Sequence, residues 1–235
     1  MLQILFSFWY GEIDKKGKAK MIVAESHFES RNKTRPLVIA YYTVDTPYED
    51  EAEVLKISLE SVGYSYLVCG VPNLGSWQKN TQYKSIFIRD MLERFFGKPL
   101  LYLDVDAIMI KPPVLLDNLK ADIAAVHFSN GSELLSGTLW LGNTKQCNRV
   151  IEKWIRLNEQ FPETLPNGKQ AWDQRTLEMA IKRIQGINFV ELPQGYTYIV
   201  ELTQRRCPNV DPVIMHTRGA KRFKNKINGK KGYAK

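Results

Sequence analysis

Two aspartates one residue apart, Asp104 and Asp106, are side chains whose type and spacing suggest chemistry. They follow the apolar run 100–103, which predicts a strand that is buried on both faces. Side chains two residues apart in an extended chain point to the same side, so both carboxylates can reach one point. Carboxylate oxygens suit Mg²⁺ or Mn²⁺, which commonly complete their coordination with water and substrate phosphates. The pair therefore suggests a metal that holds a diphosphate, although two such aspartates can also form a simple turn.

The elements that would position this pair alternate between strands and helices from residue 37 onward. The pattern predicts strands at 37–42, 64–69 and 99–103, and helices at 47–62 and about 77–96. Thr46 is the candidate N-cap of the first helix, Pro47 takes its first position and Gly63 ends it. This order of elements predicts an α/β fold whose central sheet is mostly parallel and flanked by helices.

Polar residues at the carboxyl ends of these strands are further candidates, because ligands of open α/β sheets bind beyond those ends. Tyr42, Thr43 and Asp45 follow the first strand, on the same edge as Asp104 and Asp106. We expect the ring of Tyr41 or Tyr42 to stack on a nucleobase; packing in the core is the alternative role of both tyrosines.

The second helix contributes Asn80 and Lys84, which share one stripe of the helix with Trp77. Further along, the same stripe carries apolar residues that must face the core. We therefore expect Asn80 and Lys84 at the mouth of the sheet, where the lysine can contact a phosphate. A surface lysine without a ligand is the alternative.

The second half of the chain supplies strands at 121–128, 139–142 and 212–215 and helices at 145–158 and 172–184. Between the first two of these strands, Ser136, Gly137 and Thr138 form a predicted loop of small residues that a ligand can approach closely. Residues 161–170 contain two prolines and a glycine and are expected to form a flexible loop over the site.

Four motifs, in this order along the chain, resemble glycosyltransferases of the GT-A type, which use nucleotide sugars. They are Leu103-Asp104-Val105-Asp106, Ser136-Gly137-Thr138, Trp172-Asp173-Gln174 and His216-x-x-Gly219-x-Lys221. The last three resemble retaining transferases related to glycogenin and to bacterial lipopolysaccharide galactosyltransferases. A second set of motifs is similar to small bacterial and phage proteins described as nucleotide-diphospho-sugar transferases: Tyr41-Tyr42-Thr43, Thr46-Pro47-Tyr48-Glu49, Gly75-Ser76-Trp77, Asn80 and Lys84. The resemblance implies a single GT-A (Rossmann-like) domain.

The resemblance also implies a metal site. Asp104, Asp106 and His216 would hold Mn²⁺ or Mg²⁺, and the imidazole favours Mn²⁺. Nucleotide-sugar contacts are expected from Tyr41, Tyr42, Thr43, Asp45, Asn80, Lys84, Asp104, Asp106, Gly219, Lys221 and Arg222. Lys221 comes one residue earlier than in the glycogenin-like pattern, so either Lys221 or Arg222 would meet the diphosphate, and the prolyl-tryptophan that usually follows is absent.

The same resemblance assigns the reaction itself to one segment. Asp173 and Gln174 would lie against the sugar or the acceptor as base, nucleophile or stabiliser, with Trp172, Ser136, Gly137 and Thr138 beside the sugar or acceptor. The motifs favour a metal-dependent transferase that retains the configuration of the sugar and acts on an unspecified hydroxyl acceptor.

The ends of the chain differ from this central region. Residues 1–36 are expected to be an extension, in which 2–10 and 20–24 pair as a hairpin and 25–34 form a short helix or linker with His27 on its surface. Residues 37–222 would form the transferase domain and 223–235 a basic tail. The net charge of +8 is concentrated at 15–20 and 221–235, where a nucleic acid or an anionic lipid surface could bind; solvated termini are the alternative.

Composition also bears on location. No run approaches about 20 apolar residues, so no membrane span is expected. Residues 2–9 lack the features of a signal peptide, and three widely spaced cysteines, Cys69, Cys147 and Cys207, suggest reduced thiols in a cytoplasmic protein.

Three other functions are compatible with parts of the sequence. A phosphatase of the haloacid-dehalogenase kind also carries Asp-x-Asp after an apolar strand, but normally after its first strand and not its third. A non-enzymatic nucleic-acid-binding module would use the basic segments. A sugar transferase acting on hydroxylated DNA bases would combine both features.

Overall fold

The computed structural model describes residues 21–217 except 33, 129, 130, 132 and 170. The strands and helices in this part are, in chain order, β1 (Ala24–Phe28), β2 (Leu37–Thr43), α1 (Tyr48–Ser61), β3 (Tyr66–Val71), α2 (Trp77–Arg94), β4 (Leu100–Leu103), β5 (Ala107–Met109), β6 (Ile123–Phe128), β7 (Glu133–Leu141), α3 (Lys145–Gln160), α4 (Asp173–Arg183), β8 (Phe189–Glu191), β9 (Tyr198–Ile199), α5 (Leu202–Arg206) and β10 (Ile214–His216). None of the described helices is both long enough and apolar enough to cross a bilayer.

Seven of these strands form the central sheet, in the order β1-β3-β2-β4-β7-β6-β8. Strands β2, β3, β4, β6 and β8 run in one direction, whereas β1 and β7 run in the other. The expected mostly parallel sheet and its βαβαβ order are therefore confirmed. Strands β5, β10 and β9 form a second, three-stranded sheet.

The central sheet is buried on both faces, because its strands alternate their apolar side chains between two layers. On β2, Ile39 and Tyr41 pack with α2, α3 and α4, while Val38 and Ala40 pack with α1 and the small sheet. This two-sided burial explains why the strands read as continuous apolar runs.

Hydrogen bonds at the helix starts fix the chain near the carboxyl edge of the sheet. The Ser76 hydroxyl accepts a bond from the Lys79 amide at 3.2 Å and caps α2. The Thr46 hydroxyl accepts from the Tyr48 amide at 3.3 Å, so it supports the start of α1, which begins at Tyr48 after Pro47. Gly63 follows α1 with φ of +72°, as expected for a residue that ends a helix.

The helix or linker expected at 25–34 is wrong, since β1 occupies Ala24–Phe28 and pairs antiparallel with β3 at the edge of the sheet. The strand is polar, but Phe28 stacks on Tyr66 at 5.9 Å and Glu25 binds Arg94 at 2.6 Å. In a polar edge strand, apolar and polar residues alternate only weakly, so the sequence of this segment did not indicate a strand. His27 is exposed, as expected. The hairpin expected from residues 2–10 lies outside the described residues.

The loop expected at Ser136, Gly137 and Thr138 is also wrong, because these residues lie inside β7. Strand β7 has neighbours on both sides, β4 and β6, and Thr138 is paired with Leu103. The pairing of β7 with its neighbours outweighs the low strand propensity of Gly137.

We expect Asn143→Ala to lower the free energy of unfolding by about 2 kcal/mol. The side-chain amide of Asn143 donates to the main-chain oxygens of Leu92, Phe95 and Lys98, where α2 ends. The backbone of Asn143 has a φ of +51°, which alanine tolerates poorly. Urea denaturation measures the change, with Asn148→Ala on the outer side of α3 as the control. Equal stability of the two variants would contradict this role for Asn143.

Candidate active site

A cavity of about 390 Å³ opens beyond the carboxyl ends of β2 and β4. This volume lies in the range of small-molecule sites, and the position is the one at which α/β sheets bind ligands. Partly exposed aromatic side chains line it, from the end of β2 and the starts of three helices: Tyr42, Tyr48, Trp77 and Trp172. The cavity therefore combines apolar walls with a polar end.

At the polar end of the cavity, the ammonium group of Lys84 lies between two carboxylates. Lys84 is 2% exposed, and its Nζ is 2.9 Å from Asp104 Oδ1 and 2.7 Å from Asp173 Oδ2. The same Nζ donates to the Ser136 hydroxyl at 3.1 Å and lies 3.3 Å from the Ser136 main-chain oxygen. One buried cation thus joins α2 to the end of β4, to β7 and to the start of α4.

Two hydroxyl groups complete this network. Ser136 Oγ donates to Asp173 Oδ2 at 2.7 Å, and the Tyr102 hydroxyl donates to Asp104 Oδ1 at 2.8 Å. The Lys84 ammonium also lies 5.2 Å from the centre of the Tyr102 ring. Buried charges are tolerated when they are paired and hydrogen-bonded in this way.

The protonation states in this network follow from burial and from the neighbouring charges. Burial alone would lower the pKa of Lys84, but Asp104 and Asp173 outweigh it and raise that pKa above its ordinary value. Burial raises the pKa of Asp104, and Lys84 opposes the rise. Burial and the negative charge of Asp104 raise the pKa of Tyr102. Lys84 is therefore a cation and Tyr102 a proton donor near neutral pH.

A second polar group lies beside the first. His216 is 5% exposed; its Nδ1 is 3.5 Å from Asp106 Oδ1, and its Nε2 is 3.0 Å from the Thr138 hydroxyl. Gly137 makes this approach possible, because a Cβ atom there would lie 2.9 Å from His216 Cε1 and 3.3 Å from Asp104 Oδ2. The absent side chain leaves room in which the imidazole and the first aspartate converge.

The donor atoms here have the chemistry of a Mn²⁺ or Mg²⁺ site. If His216 donates its Nε2 proton to Thr138, Nδ1 is left as a ligand on the side of Asp106, the usual arrangement for metal-binding histidines. Among residues 21–217 with the stated gaps, however, no three acidic, histidine or cysteine side chains stand close enough to form a complete ligand set. Lys84 and Tyr102 bind only Oδ1 of Asp104, whereas its Oδ2 lies on the side of Gly137 and His216.

The structure brings together most of the site residues expected from the sequence. Those lining the cavity are Tyr41, Tyr42, Thr43, Asn80, Lys84, Asp104, Asp106, Ser136, Gly137, Trp172, Asp173, Gln174 and His216. Asp45 is instead an exposed turn residue whose amide binds Glu49, and Thr138 lies behind His216. Gly219, Lys221 and Arg222 lie outside the described residues.

Two of the residues expected to contact the ligand, Tyr41 and Asn80, form hydrogen bonds within the protein. The Tyr41 hydroxyl donates to the Asn80 main-chain oxygen at 2.6 Å, and its ring lies in the core against Tyr83 at 5.6 Å, so Tyr42 is the better placed of the two tyrosines to stack on a base. The Asn80 side chain accepts from the Leu74 amide at 2.8 Å and donates to Asn73 at 3.0 Å. Asn80 therefore also shapes the loop before α2.

The start of α4 is held from both sides. The Asp173 main-chain oxygen accepts a bond from the Trp154 indole at 2.9 Å, which fixes it to the core. Gln174 Nε2 donates to Glu133 Oε1 at 2.7 Å, and the guanidinium of Arg175 lies 4.5 Å from the centre of the Trp172 ring. The backbone and side chains at this start are thus fixed before any ligand binds.

Sequence reasoning missed several residues of the cavity wall. Tyr102 stands two residues before Asp104, so strand alternation placed it on the same side and could have identified it. Thr197, Ile199 and Leu202 form the far wall, but no motif marks them. The described residues of the loop expected to cover the site, 161–169, do not line the cavity; its backbone binds Gln78 and Gln82 on α2.

We expect Lys84→Met to lower the free energy of unfolding by about 3 kcal/mol, mainly because Asp173, whose side chain is 8% exposed, would lose its cation, whereas the Asp104 side chain, at 37%, stays partly solvated. The double variant Lys84→Met with Asp173→Asn should recover part of this loss. Urea denaturation measures both, and Lys79→Met on the exposed side of α2 is the matched control. A Lys84→Met protein as stable as the Lys79→Met control would show that the network contributes little.

The fold of this chain is similar to that of several known proteins, although its sequence is not. No protein-family model matches this sequence, and neither does any curated protein. Solved structures do match. One is a glycosyltransferase involved in the glycosylation of the major capsid of PBCV-1, with a TM-score of 0.56 at 14% identity over 83% of this chain and 98% of that one.

Two others are structures of the glycosyltransferase GlyE of Streptococcus pneumoniae TIGR4. The apo form has a TM-score of 0.56 at 18% identity, and the second structure 0.55 at 21%; each match covers 78% of this chain but only 54% of the GlyE chain. At these identities the likeness concerns the fold. The chain therefore has the GT-A-type fold that these glycosyltransferases share.

Proposed function

We propose that this protein is a glycosyltransferase that moves a sugar from a nucleotide-diphosphate sugar to a hydroxyl group of an acceptor. The observation that carries the proposal is the buried Lys84 between Asp104 and Asp173, at the polar end of an aromatic-lined cavity on the carboxyl edge of the sheet. The likeness in fold to glycosyltransferases supports sugar transfer over the phosphatase alternative.

The donor would extend across the cavity from its aromatic wall to its polar end. Tyr42 and Tyr48 offer faces for the nucleobase, and Lys84 offers a positive charge for the diphosphate. Asp104, Asp106 and His216 would hold Mn²⁺ or Mg²⁺. When bound, the metal supplies positive charge to the nucleoside diphosphate as it leaves.

Lys84 links donor binding to the reacting sugar. In this structure its ammonium pairs with both Asp104 and Asp173, so a donor diphosphate would compete with these carboxylates for the same cation. Any shift of Lys84 toward the phosphate leaves more negative charge on Asp173. That charge would stabilise the positive charge that develops on the sugar carbon as the bond to phosphate breaks.

The position of Asp173 favours a reaction that retains the sugar's configuration. One of its oxygens is already engaged by Lys84 and by the Ser136 hydroxyl. When Lys84 turns toward the phosphate, the hydrogen bond from Ser136 remains and keeps this oxygen a weak base for an acceptor hydroxyl. A retaining reaction needs no strong base there, because the departing phosphate can accept the acceptor's proton. Gln174, fixed by Glu133, would hydrogen-bond the sugar or the acceptor.

Nucleotide binding tests the donor site. A nucleotide that binds with Mn²⁺ at a hundredfold excess over its Kd should stabilise the protein by about 2.7 kcal/mol, or about 5 to 10 °C in Tm. UDP, GDP and their sugar conjugates are compared by thermal shift with Mn²⁺ or with a chelator. Asp104→Asn plus Asp106→Asn should abolish the shift, whereas the exposed pair Asp50→Asn plus Asp211→Asn should keep it. If none of these nucleotides raised the Tm of the protein, the result would contradict the proposal.

Stereochemistry tests the reaction itself. With the donor identified, proton NMR of the anomeric hydrogen in the transferred or hydrolysed sugar should show the donor's configuration. Asp173→Asn should lower kcat by at least about 100-fold, because it removes the charge beside the reacting carbon, while nucleotide affinity by calorimetry changes little. An inverted product would assign the protein to the other mechanistic class.

A further inference from the structure

A line of cations runs along the outer side of α3, away from the cavity. Lys145, Arg149, Lys153 and Arg156 lie within about 80° of one another around the helix, at 100° per residue, and extend over about 16 Å of its length. Lys145, Arg149 and Arg156 are exposed, and Lys153 is half-buried. We call these four residues the α3 basic face.

The cations of this face lack acidic partners in the described part of the chain. No carboxylate there forms an ion pair with any of the four, and Arg149 donates instead to the neutral Gln146 at 2.8 Å. Glu152 is the one acidic residue among those that line the depression on this side of the protein. The face thus keeps most of its positive charge available for another molecule.

Lys145, the first of these cations, is poorly placed for the stability of the helix. The amino end of a helix favours negative charge, yet the first turn of α3 has Lys145 and no acidic residue. The first turn of α1, in contrast, carries Glu49, Asp50 and Glu51. The charge of Lys145 therefore has no explanation in the folding of the helix itself.

An exposed aromatic ring accompanies the cations. Phe96, just after α2, is 82% exposed, and it lines a depression of about 620 Å³ together with the α3 basic face. Asn143, Asn148 and Ile184 complete the wall of that depression. A large, exposed phenyl ring beside a row of cations is costly in water and offers a flat apolar surface to a partner.

This surface begins at the opposite edge of the sheet from the cavity. Leu141, near the start of α3, is paired with Leu100 at the amino end of β4. Thr138, beside the cavity, is paired with Leu103 at the carboxyl end of the same strand. None of the four cations lines the cavity, so the α3 basic face is a separate surface, and its function does not depend on the reaction in the cavity.

We propose that the α3 basic face binds single-stranded nucleic acid, with the phosphates along the four cations and a base against Phe96. A row of cations with an adjacent aromatic ring is the combination by which proteins hold single strands without sequence preference. A membrane surface fits less well, because helices that bind membranes expose an apolar side next to their cations. The apolar side of α3, including Ile151 and Trp154, is buried in the core.

Fluorescence anisotropy with a labelled oligothymidine of about 12 nucleotides tests the proposal on the full chain. For single strands the slope of log K against log salt is about −0.7 for each phosphate contact. Arg149→Gln plus Arg156→Gln should therefore flatten the slope by about 1.4 and weaken binding at low salt. Phe96→Ala should weaken binding about fivefold or more without changing the slope, since no charge is lost.

The matched control is Arg31→Gln plus Arg205→Gln, which removes the same charge from two exposed arginines outside α3 and outside the depression beside it. All variants keep residues 218–235, so any binding by that basic segment is common to them. Equal slopes for the α3 double variant and this control would overturn the proposal. It would also fail if the α3 variants bound the oligonucleotide normally and lost binding only to phosphatidylserine vesicles.

Discussion

The structure depends on one electrostatic requirement, which is that two aspartates at the carboxyl edge of the sheet share a single buried lysine. Removing an ammonium group and a carboxylate from water costs several kcal/mol each, and that cost is offset only where partners are close and well oriented. Lys84 meets the requirement with Asp104, Asp173 and Ser136, which belong to three different elements. Helix α2, the end of β4, strand β7 and the start of α4 must therefore be correctly placed at the same time.

This arrangement gives the cavity its readiness to bind. The hydroxyl of Tyr102 and that of Ser136 hold the carboxylates in place without a ligand, and the indole of Trp154 fixes the backbone at Asp173. Groups held in this way lose little conformational entropy on binding. A charged ligand would thus exchange one set of ionic partners for another, and little of the protein would need to become ordered.

Much of this site could be predicted from the sequence, because the positions of its residues follow from the strand or helix to which each belongs. The position of Asp104 and Asp106 directly after β4 put both at the cavity, although they lie in a turn closed by the bond from the Ala107 amide to the Asp104 oxygen and not in the extended chain expected. Helical spacing placed Lys84 at the mouth of the sheet. The pairing of Lys84 with Asp173 could not be predicted, since the spacing of residues within one helix or strand says nothing about residues 89 positions apart. Strand β1 and the strand around Gly137 were missed because their neighbours in the sheet, and not their own propensities, determine their conformation.

Strand β7 is the element in which this dependence on neighbours is greatest. Three consecutive residues serve different parts of the site: Ser136 binds Lys84 and Asp173, Gly137 leaves space for the imidazole of His216, and Thr138 binds that imidazole. A slip of β7 by one residue against β4 would exchange the two sides of the strand. It would also put a side chain where Gly137 has only hydrogen, 2.9 Å from the ring. Insertions and deletions in this strand should therefore be far less tolerated than in the loops around it, even where the overall composition is unchanged.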